Sequence, residues 1–126
     1  MSDIRFCHEV KVALNKNSPL RDRRWAIWRC SYSIACLVGH IAAKDVYKLI
    51  SEKVGFSNIK NLTQELMPTE EQILKAIGIL VHVRFRLLER LFRYQMKRKK
   101  LKHISKRFPV LIALNMELLI KFVNKS

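Results

Sequence analysis

The stretch from Thr69 to Lys100 begins after Pro68 and meets no further proline until Pro109. It has room for one long helix, and such a helix constrains everything around it. Thr69 followed three residues later by Gln72 is a capping-box start, in which each side chain satisfies a backbone N–H of the other's residue. At about 100° per residue, Ile73, Leu74, Ile77, Leu80, Val81, Leu88, Leu91 and Phe92 gather on one side, an apolar stripe that must be buried.

On the same wheel Arg86, Arg90, Arg93, Lys97 and Lys100 fall within about 80° of one another, roughly opposite the stripe. Like charges one turn apart repel by a few tenths of a kcal/mol per pair, so a row with no acid in it needs an external complement. The row runs for about 21 Å at ~1.5 Å per residue, close to the span of about six phosphates on one strand of B-form nucleic acid. Its natural complement is a polyanion. The competing reading is a solvated face that keeps the helix soluble.

At 126 residues, 49% of them hydrophobic, the chain is expected to form one domain over 1–126 with a core of its own. Against 10 acids stand 25 Lys and Arg, a net charge of +15, and the pI is about 10.3. That is the range of nucleic-acid-binding domains. Eleven of the cations and a single acid, Glu89, lie between Arg84 and Arg107, so the charge is localised. Three glycines and three prolines supply few turns, which favours a few long helices over a sheet. The fold class expected is all-α, a helical bundle of about five helices built around the long amphipathic basic one.

Cys7, Cys30 and Cys36 are odd in number and show no paired-ligand spacing, which argues against a disulfide framework and for a reducing compartment. Met1 to Lys16 lacks the apolar core of a secretory signal, so a cytoplasmic location is expected.

Along the chain, residues 3 to 15 read as a helix with Phe6, Val10, Ala13 and Leu14 inward, although Arg5 to Leu14 also half-alternates like a strand. Ser18-Pro19 predicts an N-cap followed by proline at the first helical position, opening a second helix that runs to about Ala43 and is apolar almost all round from Ile34. Asp45 to Val54 predicts a short helix closed by Gly55 in the left-handed conformation. Ser57 to Met67 predicts another, with Ile59, Leu62 and Leu66 inward. A basic hinge spans about 97–108, and a last helix from about Pro109 to Asn124 is expected to pack on the second through Val110, Leu111, Leu114, Leu118, Leu119 and Phe122.

Arg21, Arg23, Arg24 and Arg29 surround Trp25 and Trp28, placing cations beside large π-faces, a combination suited to phosphate contacts and base stacking. The competing reading makes both tryptophans core anchors with arginines lying around them. Cys36 with His40, and Cys7 with His8, have spacing that zinc permits without requiring it, and no metal or other cofactor is expected. The short helices either side of Gly55 and Phe56 offer only Lys60, Asn61 and Gln64 as base readers for a helix-turn-helix. Trp25 to Ala43 has the length of a membrane span behind Arg21, Arg23 and Arg24, which leaves a small basic membrane-associated protein as an alternative. Arg29 and His40 inside it favour a buried helix.

Arg98 and His103 form R-x4-H, which resembles the catalytic motif of HEPN ribonucleases, helical domains in which the arginine and histidine act on the RNA 2′-OH and scissile phosphate. The resemblance covers six residues and implies a ribonuclease using Arg98 and His103, with Lys99 standing where that family usually has a polar residue. No Ser/His/Asp set, phosphate loop or paired carboxylates accompany it, and an enzyme is not expected.

The expectation is a non-catalytic protein that binds RNA or single-stranded DNA through the backbone, largely independent of sequence. Its candidate contacts are Arg21, Arg23, Arg24, Trp25, Arg86, Arg90, Arg93, Lys97, Arg98, Lys100, Lys102, Lys106 and Arg107. In size, charge and helix content the chain is similar to the small subunits of CRISPR effector complexes. That similarity implies an accessory place in a ribonucleoprotein complex, with other protein subunits or further copies of itself as partners.

Overall fold

The structure, a computed structural model, describes residues 2–39, 41–56, 67–98 and 108–125, with the side chains of all of these except 94–98 and 108–116. Among them it forms five helices and no strand: α1 (Asp3–Leu14), α2 (Leu20–Val38), α3 (Ala43–Val54), α4 (Glu70–Arg98) and α5 (Phe108–Lys125). The protein is an all-α bundle. The short helix expected over Ser57 to Met67 lies outside the described residues apart from Met67.

Local chemistry accounts for most helix ends. Ser2 accepts a hydrogen bond from the Arg5 N–H and Asp3 sits in the first turn, so a capped helix, not the half-alternating strand, forms at the N-terminus. Phe6 and Ala13 are buried as expected, Val10 is half-buried and Leu14 is exposed. At α2 the cap is Pro19, not Ser18: the Pro19 carbonyl accepts from the Asp22 and Arg23 N–H groups, and no side chain caps the end. The helix stops at Val38 instead of Ala43 because Gly39 turns to φ +79°, a conformation L side chains rarely adopt. α3 closes as expected on left-handed Gly55, whose N–H and that of Phe56 both donate to the Ser51 carbonyl. The capping box of α4 forms as read: Thr69 N–H donates to Gln72 Oε1 at 3.0 Å and Gln72 N–H to Thr69 Oγ1 at 3.2 Å.

α2 is central and touches each of the other four helices. Arg23 meets Glu70 and Ser33 meets Arg84, so α2 and α4 run side by side in the same direction. α1 runs against both, because Asp3 reaches Arg84 while the Ala13 carbonyl reaches Arg23. α5 lies mainly against α4, with less contact to α2 than expected, and its end returns to α3, where Lys53 Nζ donates to the Asn124 carbonyl. Among its described side chains Leu119 and Val123 are buried and Leu118 and Phe122 half-buried; Val110, Leu111 and Leu114 lie outside the described side chains.

The interior side of α4 is turned from the expected stripe by roughly 70°. Ile73, Ile77 and Leu80 are buried as read, but Ala76, Ile79, Val83, Arg84 and Leu87 complete the interior, while Leu88 and Leu91 are half-buried. Leu74, Val81 and Phe92 stand outside at 49%, 42% and 64% exposure, joined by Phe85 at 63%. Arg84 marks the inward side: its Nε donates to Ser33 Oγ, its Nη2 to Asp3 Oδ1 at 2.6 Å, and its guanidinium covers the Phe6 ring at 4.4 Å.

Arg23, expected at a nucleic-acid interface, is instead a structural tie. It is 4% exposed, forks onto both Glu70 oxygens at 2.5 and 2.9 Å, and donates Nε to the Ala13 carbonyl at 2.7 Å. Those hydrogen bonds hold the Glu70 carboxyl below the usual carboxylate range, with Lys16 acting in the same direction. A carboxyl whose folded pKa is lowered adds stability above its unfolded value, about 4.3 for Glu, and that stability is lost as pH falls through the folded value. Below about pH 4 the wild type is expected to lose stability more steeply than Glu70→Gln in urea melts taken from pH 7 to pH 3. Parallel curves would show that the pair has no part in acid sensitivity.

Candidate functional site

The sequence-predicted contacts fall in two places. Along α4, Arg86, Arg90 and Arg93 carry exposed side chains on a single rigid element. Because the interior is turned, their row stands on the flank of the helix, about 100° from the buried side, not opposite it. Glu89 modifies the row. Its carboxylate takes Arg93 Nη2 at 2.8 Å and faces Arg86 Nη1 at 3.7 Å, leaving Arg90 with no ion pair among the described residues. This was legible from the i,i+3 and i,i+4 spacing, although Glu89 projects from a neighbouring line of the helix. Lys97 and Arg98 continue α4 with undescribed side chains, and Lys100, Lys102, His103, Lys106 and Arg107 lie outside the described residues. So do His40, Lys60, Asn61 and Gln64.

The second place is a cleft of about 660 Å³ lined by Arg21, Arg24, Trp25, Trp28, Tyr47 and Met67. Three of the predicted residues, Arg21, Arg24 and Trp25, come together here, without the buried Arg23. Trp25 is half exposed, while Trp28 is partly buried with its ring 5.6 Å from that of Tyr47. Tyr47 is backed in turn by Phe56 at 5.9 Å, edge to face. Arg24 Nε donates to the Tyr47 hydroxyl at 3.3 Å and Arg24 Nη1 lies 3.6 Å from Met67 Sδ, so the guanidinium is held against the wall. Tyr47 and Met67 had no local signal, since they sit 23 and 43 residues from Arg24.

The two places are apart. Arg23 ties the start of α2 to Glu70 at the start of α4, and Arg86 follows 16 residues later, about 24 Å along the axis.

All three cysteines are free thiols. Burial, with the nearby Glu9 carboxylate, pushes the Cys30 thiol up to about 12, and Cys7 and Cys36 are exposed. No three His, Cys, Asp or Glu side chains among the described residues gather to hold a metal ion. No single described helix is long and apolar enough to cross a membrane; only α2 and α3 taken as a bent pair reach that length and hydropathy. Comparison with protein-family models, with curated proteins and with solved structures returns no match.

Proposed function

We propose that the protein is a non-catalytic, largely sequence-independent nucleic-acid-binding protein, directed at the backbone of RNA or single-stranded DNA. The observation that carries this reading is the exposed line of Arg86, Arg90 and Arg93 on α4, served by one carboxylate among the described residues. Guanidinium groups match phosphate oxygens in a two-pronged geometry, and each phosphate neutralised releases condensed counterions. A rigid helix sets the spacing of the contacts without presenting a base reader, so affinity follows charge more than sequence.

We further propose an accessory place in a larger ribonucleoprotein complex. The apolar ridge of Leu74, Val81, Phe85 and Phe92 on the same helix supports a neighbouring protein subunit, since a lone soluble chain rarely leaves such a ridge in water.

The test is a titration of labelled single- and double-stranded RNA and DNA at several salt concentrations. Log affinity is expected to fall linearly and steeply with log salt, and to the same degree for unrelated sequences. Affinity that ignored salt, or that picked out one sequence, would remove the reading.

A further inference from the structure

We propose that the cleft between α2 and α3 takes one unpaired nucleobase of a single strand, stacked on Trp25, with an adjoining phosphate against Arg21 and Arg24. The inference rests on the nucleic-acid reading and adds a second, strand-selective site to it.

The cleft has the size of a small-ligand site, about 660 Å³. Its inner wall is built: the Tyr47 ring is braced by Phe56 and Trp28, and its hydroxyl receives the Arg24 guanidinium. Trp25, by contrast, keeps half its surface in water at the mouth of an aromatic cleft. A large indole left there offers a stacking face, and every base has a π-face to lay on it. The described lining also carries the guanidinium groups of Arg21 and Arg24. That charge rejects the quaternary-ammonium ligands that aromatic cages favour and calls for an anion. A plain phosphate would leave the aromatic wall unused, whereas a base with its phosphate engages both. A duplex keeps its bases stacked and paired, so the cleft discriminates strands where the α4 row does not.

The test compares the full-length wild type with Trp25→Ala, Trp25→Phe and Arg90→Ala/Arg93→Ala. The probes are a short single-stranded RNA, its duplex, and an abasic single strand of the same length, with circular dichroism as the fold control. Trp25→Ala is expected to bind the single strand roughly tenfold or more weakly while holding the duplex and the abasic strand as wild type does; Trp25→Phe recovers most of the loss. Uridine monophosphate is expected to quench the tryptophan fluorescence of the wild type, and ribose 5-phosphate or dodecyl phosphate to do so far less. Unchanged single-strand affinity in folded Trp25→Ala, or equal loss for single strand and duplex, overturns the proposal. Quenching by dodecyl phosphate as strong as by the nucleotide overturns it too, in favour of an anionic amphiphile. If only the Arg90/Arg93 variant loses affinity, the cleft fails and the α4 row stands. A wild type that binds no strand defeats both.

Discussion

Alanine at Arg90 and Arg93 together is expected to weaken nucleic-acid binding more than tenfold at moderate salt, if each charge-assisted contact contributes roughly 1 kcal/mol or more. The slope of log affinity against log salt should flatten by somewhat under one unit per arginine removed, most for Arg90, because Arg93 already shares the Glu89 carboxylate. Loss should be uniform across sequences. Glu89→Gln should act in the opposite sense, tightening binding by releasing Arg86 and Arg93 to phosphate. The fold should be untouched: both arginines are exposed, and an exposed i,i+4 pair such as Arg93 with Glu89 contributes only about 0.3–0.5 kcal/mol. A folded double variant with wild-type affinity and slope would reduce the row to a solvated surface.

The second large effect lies inside the bundle. Leu80 is fully buried at the middle of α4, and Leu80→Ala should destabilise by about 2–5 kcal/mol, from the transfer of the lost methyl groups and the cavity left behind. Leu74→Ala, on the same helix, should fall within about 0.5 kcal/mol of wild type because Leu74 is half in water. Urea midpoints at constant slope measure both. Equal losses would mean that α4 faces the core as its hydrophobic pattern alone suggests.

That contrast marks where sequence reasoning stops. The Thr69–Gln72 box and left-handed Gly55 were legible because cap and turn chemistry act over three or four residues. The inward side of α4 was not. Leu74, Val81, Phe85 and Phe92 are as apolar as Val83 and Leu87, and only contacts to other helices select between them. The buried arginines hid for the same reason. Arg23 finds Glu70 47 residues away and Arg84 finds Asp3 81 residues away, distances at which a charge in the sequence cannot be told from one on the surface. Four of the six described lining residues, Arg21, Arg24, Trp25 and Trp28, share one short segment of α2 and were visible, whereas Tyr47 and Met67 were brought in by the fold.

The co-directional pairing of α2 and α4 also sets how much chain must close before each part of the core can form. Arg23 reaches the Ala13 carbonyl across only ten residues, so the α1–α2 hairpin closes a small loop and forms locally. The α2–α4 ties, Arg23 to Glu70 and Ser33 to Arg84, span 47 and 51 residues. None of the core between those helices exists until the chain has turned back through α3 and closed that larger loop. A bundle of up-and-down neighbours would meet each new helix next to the last, and its contacts would be short in sequence. Loop closure therefore costs more chain entropy for the docking of α4 than for that of α1, and until α4 docks α2 carries the apolar side that α4 will cover.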